Sequence, residues 1–124
     1  MNNIYLDNAA TTKIDKRVAD IMFNSYSNLY ANASSMHSDG VTAKDLLNNA
    51  RAQLAKYAGC FSDEIIFTSG GTEANNMALK GIAFANRHKG KHIIVSAIEH
   101  DCILNTCKWL QSEGFTISYL PVSE

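Results

Sequence analysis

Apolar positions along this chain change period several times, and each change predicts a new element. Ile4 to Thr12 has the character of a short extended segment. Behind Asp15, whose carboxylate is placed to cap a helix, Val18, Ile21, Met22 and Leu29 recur at helical spacing and predict a first amphipathic helix. Tyr30 to Ser38 (YANASSMHS) follows as a loop of small and polar residues. Ala43, Leu47, Ala50, Leu54 and Ala58 then mark a second helix, which Gly59 ends by supplying a left-handed residue. Glu64 to Thr68 (EIIFT) is a continuous run rich in branched residues and predicts a buried strand.

From Thr72 onward the helical period returns in Ala74, Met77, Ala78, Ile82 and Ala85, with Gly90 as the expected stop. Ala78, Gly81 and Ala85 give that helix a small-residue face suited to close packing on a sheet. His92 to Ser96 (HIIVS) predicts a second buried strand. Ile103, Leu104, Cys107 and Leu110 predict a further helix ending near Gly114, and Phe115, Ile117 and Tyr119 line one face of a half-covered strand. Helix, helix, strand, helix, strand, helix, strand is the order of an α/β architecture, with parallel strands joined by crossover helices. In such folds ligands sit beyond the carboxyl ends of the strands, where SGGT (69–72) and AIEHD (97–101) lie.

Composition narrows the functional classes. The 124 residues are 46% hydrophobic and 19% charged with a single proline, which is the profile of a globular domain rather than a disordered chain. Eleven basic against twelve acidic residues leave a formal charge of -1 and no basic stripe, so nucleic acid is not an expected partner. Apolar runs are short and MNNIYLDNAATT lacks a signal-peptide layout, so the expectation is a cytoplasmic protein with no membrane partner. Cys60, Cys102 and Cys107 make an odd set without a C-x-x-C pair, and the histidines are scattered. This argues against a disulfide framework and against a metal site.

The chemistry is carried by the two loops. Thr68-Ser69-Gly70-Gly71-Thr72-Glu73 runs from the end of the predicted strand through paired glycines into a helix. Amides that open a helix lack internal partners, so those of Gly71 and Thr72 could hold a phosphate dianion, with the Thr72 hydroxyl as a further donor. A glycine pair there can also be no more than a turn. It is neither a Walker A loop nor a dinucleotide fingerprint. His100, in Ser96-Ala97-Ile98-Glu99-His100-Asp101, has two readings as well: a surface residue at a helix start, or a ring facing the same cleft, able to stack on an aromatic cofactor and exchange protons.

Taken together, YLDNAATT (5–12), NASSMHSDG (32–40), TSGGTEANNMALKG (68–81) and SAIEHD (96–101) resemble the cysteine desulfurases of the class-V aminotransferase group, in the family's order. The resemblance implies part of a fold-type-I pyridoxal-phosphate transferase: an N-terminal arm over residues 1–14 and, over 15–124, the truncated N-terminal part of the large cofactor-binding domain. Gly71 and Thr72 match the family's pair that binds the phosphate of pyridoxal 5′-phosphate, and His100 matches the histidine that stacks on the pyridine ring and assists proton transfer. Asn8, Ala9 and Thr11, with Asn32, Ser34 and His37, match segments near the substrate cleft. Where the family reads Asn-Pro-Ser-Ser-x-His, this chain has Ala33 in place of proline and loses a fixed dihedral.

The complete family enzyme takes sulfur from L-cysteine, leaving L-alanine and passing a persulfide to iron-sulfur assembly or tRNA thiolation. It acts as a homodimer together with a sulfur-acceptor scaffold. The Schiff-base lysine, the aspartate facing the pyridine nitrogen and the sulfur-accepting cysteine lie beyond the matched region, and none of the cysteines here takes the last role by position. The chain by itself is therefore expected to be inactive and to bind the cofactor weakly or not at all. The alternatives are a truncated relic or an interaction module pairing with a full-length homologue, and a selenocysteine lyase-type member of the same group. In the implied fold EIIFT lies at the far edge of the sheet from HIIVS and FTISYL, so a central gap is expected.

Overall fold

A computed structural model describes residues 4–123, so the first residues of the expected arm, 1–3, and Glu124 lie outside it. The chain falls into two compact units, divided between Ile65 and Ile66.

In the first unit the segment before Asp15 contains a tight turn, in which the carbonyl of Asp7 accepts from the amides of Ala10 and Thr11 at 3.1 and 3.3 Å. Helix α1 spans Lys16–Asn28 and begins where the sequence predicts, because the Asp15 carboxylate accepts from the Arg17 amide at 2.8 Å. The Arg17 side chain grips the same carboxylate at 3.0 and 2.9 Å. That guanidinium, with the backbone bond second, holds the Asp15 carboxyl below its ordinary range. The predicted stripe of Val18, Ile21 and Met22 is present on α1, but no residue of the helix is buried, and Leu29 falls just past its end.

Helix α2 spans Ser38–Ala58, opening earlier than its apolar pattern. It ends at Gly59, whose φ of 70° is the left-handed stop the sequence predicts. Its first turn rides on the 32–35 turn so closely that a Cβ on Gly40 would stand 2.4 Å from the Ser35 carbonyl oxygen. Only glycine fits there. A single 3-10 turn follows at Ser62–Glu64, closed by the Glu64 carboxylate on the Phe61 amide at 2.7 Å, and Arg51 of α2 donates to the carbonyl of Ile65 at 3.2 Å.

The second unit is a strand-helix-strand crossover with one further helix before it. Helix α3 is Gly71–Ala85, β1 is His92–Ser96, α4 is Asp101–Ser112 and β2 is Thr116–Leu120. The strands pair in parallel, in a register running from His92 opposite Thr116 to Ser96 opposite Leu120. The core is Ala83 of α3, Val95 of β1, Cys107 and Leu110 of α4, and Phe115 and Ile117 at and beside β2. Partly buried Phe84 closes it, meeting the rings of Trp109 and Phe115 edge-on at 5.9 and 5.6 Å. The α/β class and the parallel crossover follow the sequence pattern.

Several details of that pattern are corrected. EIIFT forms no strand: Glu64 closes the 3-10 turn, the backbone from Ile65 is extended but joins no sheet, and Ile66 is 65% exposed. An apolar branched run becomes a strand only when a neighbour takes up its ladder, and β1 and β2 pair with each other. HIIVS is a strand but not a buried one. Val95 and Ile93 face the core, whereas Ile94 on the opposite face is 60% exposed. On α3 the small-residue face of Ala78, Gly81 and Ala85 is exposed, and Ala83 is the residue that enters the core. That helix stops at Ala85 rather than at Gly90: the Asn86 amide still reaches the Ile82 carbonyl at 3.1 Å, but the Arg87 amide turns to the Phe84 carbonyl only three residues back, at 3.4 Å.

Candidate functional site

The bend Thr68–Gly70 delivers the chain into α3, whose first intrahelical bond runs from the Ala74 amide to the Gly70 carbonyl at 3.1 Å. The amides of Gly71, Thr72 and Glu73 therefore precede the ladder, and none of them has an acceptor among the described residues. Gly70 and Gly71 present bare backbone, since a Cβ built on either meets nothing within 4 Å. The Thr72 hydroxyl is likewise uncommitted among the described residues. These donors, with the positive end of the helix dipole behind them, are the set a phosphate needs.

The second loop leaves β1 at Ser96 and reaches α4 at His100. His100 is the N-cap of that helix: its backbone is extended and its Nδ1 accepts from the Cys102 amide at 3.2 Å. With Nδ1 occupied as an acceptor, the neutral ring carries its proton on Nε2. Gly71, Thr72, Asn75, His100 and Cys102 line one open cleft of about 340 Å³. The two loops singled out from the sequence thus meet around a shared hollow.

Three residues of this site went unnoticed in the sequence. Asn75 and Cys102 join its wall, and Asn75 Nδ2 donates to Cys102 Sγ at 3.2 Å. Glu73 reaches back before the helix, with Oε2 accepting from both the amide and the hydroxyl of Ser69 at 2.7 and 2.6 Å. The Ser69 hydroxyl first, then its amide, holds the Glu73 carboxyl below the usual value of 4.5. A glutamate at the third position of a helix is the signal that could have revealed this clasp.

The other residues matched to the substrate cleft belong to the first unit. Asn8 and Ala9 sit in the turn after Asp7, and the Thr11 hydroxyl is 2.7 Å from that of Tyr5. Asn32 Oδ1 accepts from the Ser34 amide at 2.8 Å, shaping the loop before α2. His37 is the N-cap of α2, with Nδ1 accepting from the Gly40 amide at 3.3 Å. All six are exposed. Among the described residues no cluster of potential metal ligands occurs.

Known proteins match nearly the whole of this chain. The model for aminotransferase class-V matches residues 4–124. The cysteine desulfurase IscS of Methanosarcina thermophila is 50% identical over 121 residues, which is 98% of this chain and 30% of that protein. A solved structure named NifS-like protein aligns with a TM-score of 0.85 at 39% identity, over 93% of this chain and 32% of its own. Another, SspA in complex with cysteine, aligns with a TM-score of 0.81 at 41% identity, over 90% of this chain and 32% of its own. This chain thus spans about a third of the length of the relatives it matches. With a family model matching residues 4–124, nearly the whole chain, the chain belongs to the class-V aminotransferases.

Proposed function

We propose that this chain supplies the phosphate cradle and the ring-facing histidine of a pyridoxal-phosphate-dependent cysteine desulfurase. The observation that carries the reading is the cleft in which the uncommitted donors of Gly71 and Thr72 share a wall with His100. The residues fit the cofactor: bare glycine backbone allows a phosphate to approach, the helix start favours a dianion, and the hollow has room for a ring beside His100. When bound, pyridoxal phosphate supplies an electron-withdrawing ring that drains charge from the substrate carbon. Gly71 and Thr72 anchor the phosphate end, and His100, oriented by the Cys102 amide, offers a flat face and an Nε2–H that holds a proton for transfer.

L-cysteine is the substrate this reading carries, supported by the naming of the cysteine desulfurase relatives and by the neighbour solved with cysteine. Sulfur leaves it, with L-alanine as the other product. The reading also carries a homodimer, a sulfur-acceptor scaffold and the cytoplasm as compartment. It takes residues 1–14 as an arm and 15–124 as part of the large domain, with Asn8, Ala9, Thr11, Asn32, Ser34 and His37 near the substrate entrance. No helix of the described residues is long and apolar enough to cross a membrane.

The test is a titration of the isotope-labelled chain with inorganic phosphate and then with pyridoxal phosphate, followed by amide NMR. The expected result is weak saturable binding that shifts the Gly71 and Thr72 amides with either ligand, and the His100 ring with pyridoxal phosphate alone. Binding of either ligand that leaves the Gly71 and Thr72 amides unmoved, or no binding of inorganic phosphate, would overturn the reading.

A further inference from the structure

Phosphate at the start of α3 raises an electrostatic difficulty, because the first turn of that helix carries an acid, Glu73. A carboxylate in this position is free to fold back onto its own helix amides, where it would compete with any bound anion. The structure shows it doing otherwise. One oxygen, Oε2, takes both the amide and the hydroxyl of Ser69, at 2.7 and 2.6 Å. On the other side of the bend the Thr68 hydroxyl donates to the Gly70 carbonyl at 3.3 Å, and that carbonyl also accepts the Ala74 amide. The segment 68–70 is thereby pinned from both ends while the amides of Gly71 and Thr72 stay free.

We infer that Glu73 is a positioning residue for anion binding, clasping Ser69 so that the Gly71 and Thr72 amides face the cleft and its own carboxylate stays out of it. This rests on the reading that Gly71 and Thr72 hold a phosphate. Two effects of Glu73 oppose each other. Its charge repels a dianion a few residues away, whereas its acceptor oxygen organises the donors that bind it. The inference is that the second effect wins, so removing the side chain weakens anion binding despite removing a negative charge. An exposed carboxylate with no organising role would give the opposite sign.

The experiment compares wild type, Glu73→Gln, Glu73→Ala and Ser69→Ala as full 124-residue chains, with inorganic phosphate as probe and pyridoxal phosphate as a second. Affinity is read from the Gly71 and Thr72 amide shifts, and thermal melts are run in parallel. Glutamine keeps an acceptor for Ser69 and should stay within about threefold of wild type, whereas alanine should lose about tenfold. Ser69→Ala, which removes one of the two donors, should lose about threefold. Rescue by glutamine at equal melting temperature is the signature that a merely stabilising residue would not give. The inference is overturned if Glu73→Ala binds phosphate as well as or better than wild type, or if glutamine falls as far as alanine. Should Glu73→Ala not fold, Ser69→Ala decides by the same criterion, unchanged affinity being the adverse result. No phosphate binding by wild type would instead sink the phosphate reading itself, and this inference with it, an outcome distinct from wild-type binding with an indifferent alanine variant.

Discussion

Asn75 on α3 donates through Nδ2 to Cys102 Sγ on α4 at 3.2 Å, and the Cys102 amide in turn donates to His100 Nδ1. These two bonds link the helix that presents the candidate phosphate donors to the residue that caps the next helix. Sulfur is a weak acceptor, so the stability at stake is small. Asn75→Ala should cost about 0.5 kcal/mol in urea unfolding while displacing the His100 ring resonances. Unchanged His100 resonances would show that the link positions nothing.

Leu110 and Cys107 are fully buried in the core of the second unit, and Leu110 is the larger of the two. Leu110→Ala should remove about 2–5 kcal/mol and loosen Phe84 and Phe115 of the same core, and with Phe84 its edge-on contact to Trp109. Near-ultraviolet circular dichroism from Trp109 reports that loss directly.

Gly40→Ala tests the close approach of α2 to the 32–35 turn. The new methyl group would meet the Ser35 oxygen at 2.4 Å, the Ser35 Cβ at 2.7 Å and the Asn32 oxygen at 2.9 Å. Two of the three are backbone, so relief requires the turn to move. A loss of about 1–3 kcal/mol is expected, with faster exchange of the Ser34 and Ser35 amides that Asn32 now holds.

Acid should open the start of α1. The Asp15 carboxyl is held below its usual 3.8, first by the Arg17 side chain and then by the Arg17 amide. A depressed folded value means that its contribution is present above 3.8 and is lost as pH falls through the folded value, which lies lower. The Arg17 amide shift should therefore show its inflection below 3.8, and salt should move it upward by screening the pair. An inflection at or above 3.8 would contradict the cap.

Thiol chemistry should separate the cysteines. Cys107 is fully buried and its thiol is pushed up by burial, with the Glu99 charge adding to the effect, whereas Cys60 and Cys102 are partly exposed. A thiol reagent at neutral pH should modify Cys60 and Cys102 well before Cys107. Mass spectrometry of peptides at short times distinguishes them, and early labelling of Cys107 would mean that the second unit opens readily.

Much of the fold was legible because it depends on local chemistry. Asp15 caps α1, Gly59 ends α2, and the periods around His92, Ile103 and Ile117 mark β1, α4 and β2. The misreadings have physical causes. Ile65, Ile66 and Phe67 have the composition of a strand, but pairing is a property of two segments and composition describes only one. The early start of α2 was hidden because Ser38 to Thr42 carries little apolar signal, although Ser38 and Asp39 are helix-opening residue types. For the candidate site, the placement of Gly71, Thr72 and His100 at helix starts was legible because each follows an extended segment. Their common cleft, the Glu73 clasp and the Asn75 contact depend on which way side chains turn, and residue order does not specify that.

The parallel register of the two strands also sets where the second loop begins. Beyond the last pair, Ser96 with Leu120, the Ala97 amide still reaches the Leu120 carbonyl at 2.8 Å, so β2 acts as a ruler that releases the chain at one fixed point before His100. A slip of one residue would carry that release point about 3.3 Å along the strand and turn Val95 outward. Length changes within the AIEHD loop would therefore shift the imidazole directly, whereas lengthening the turn between α4 and β2 could be absorbed with the strands still aligned. Insertions in the two connections should differ sharply in how well they are tolerated.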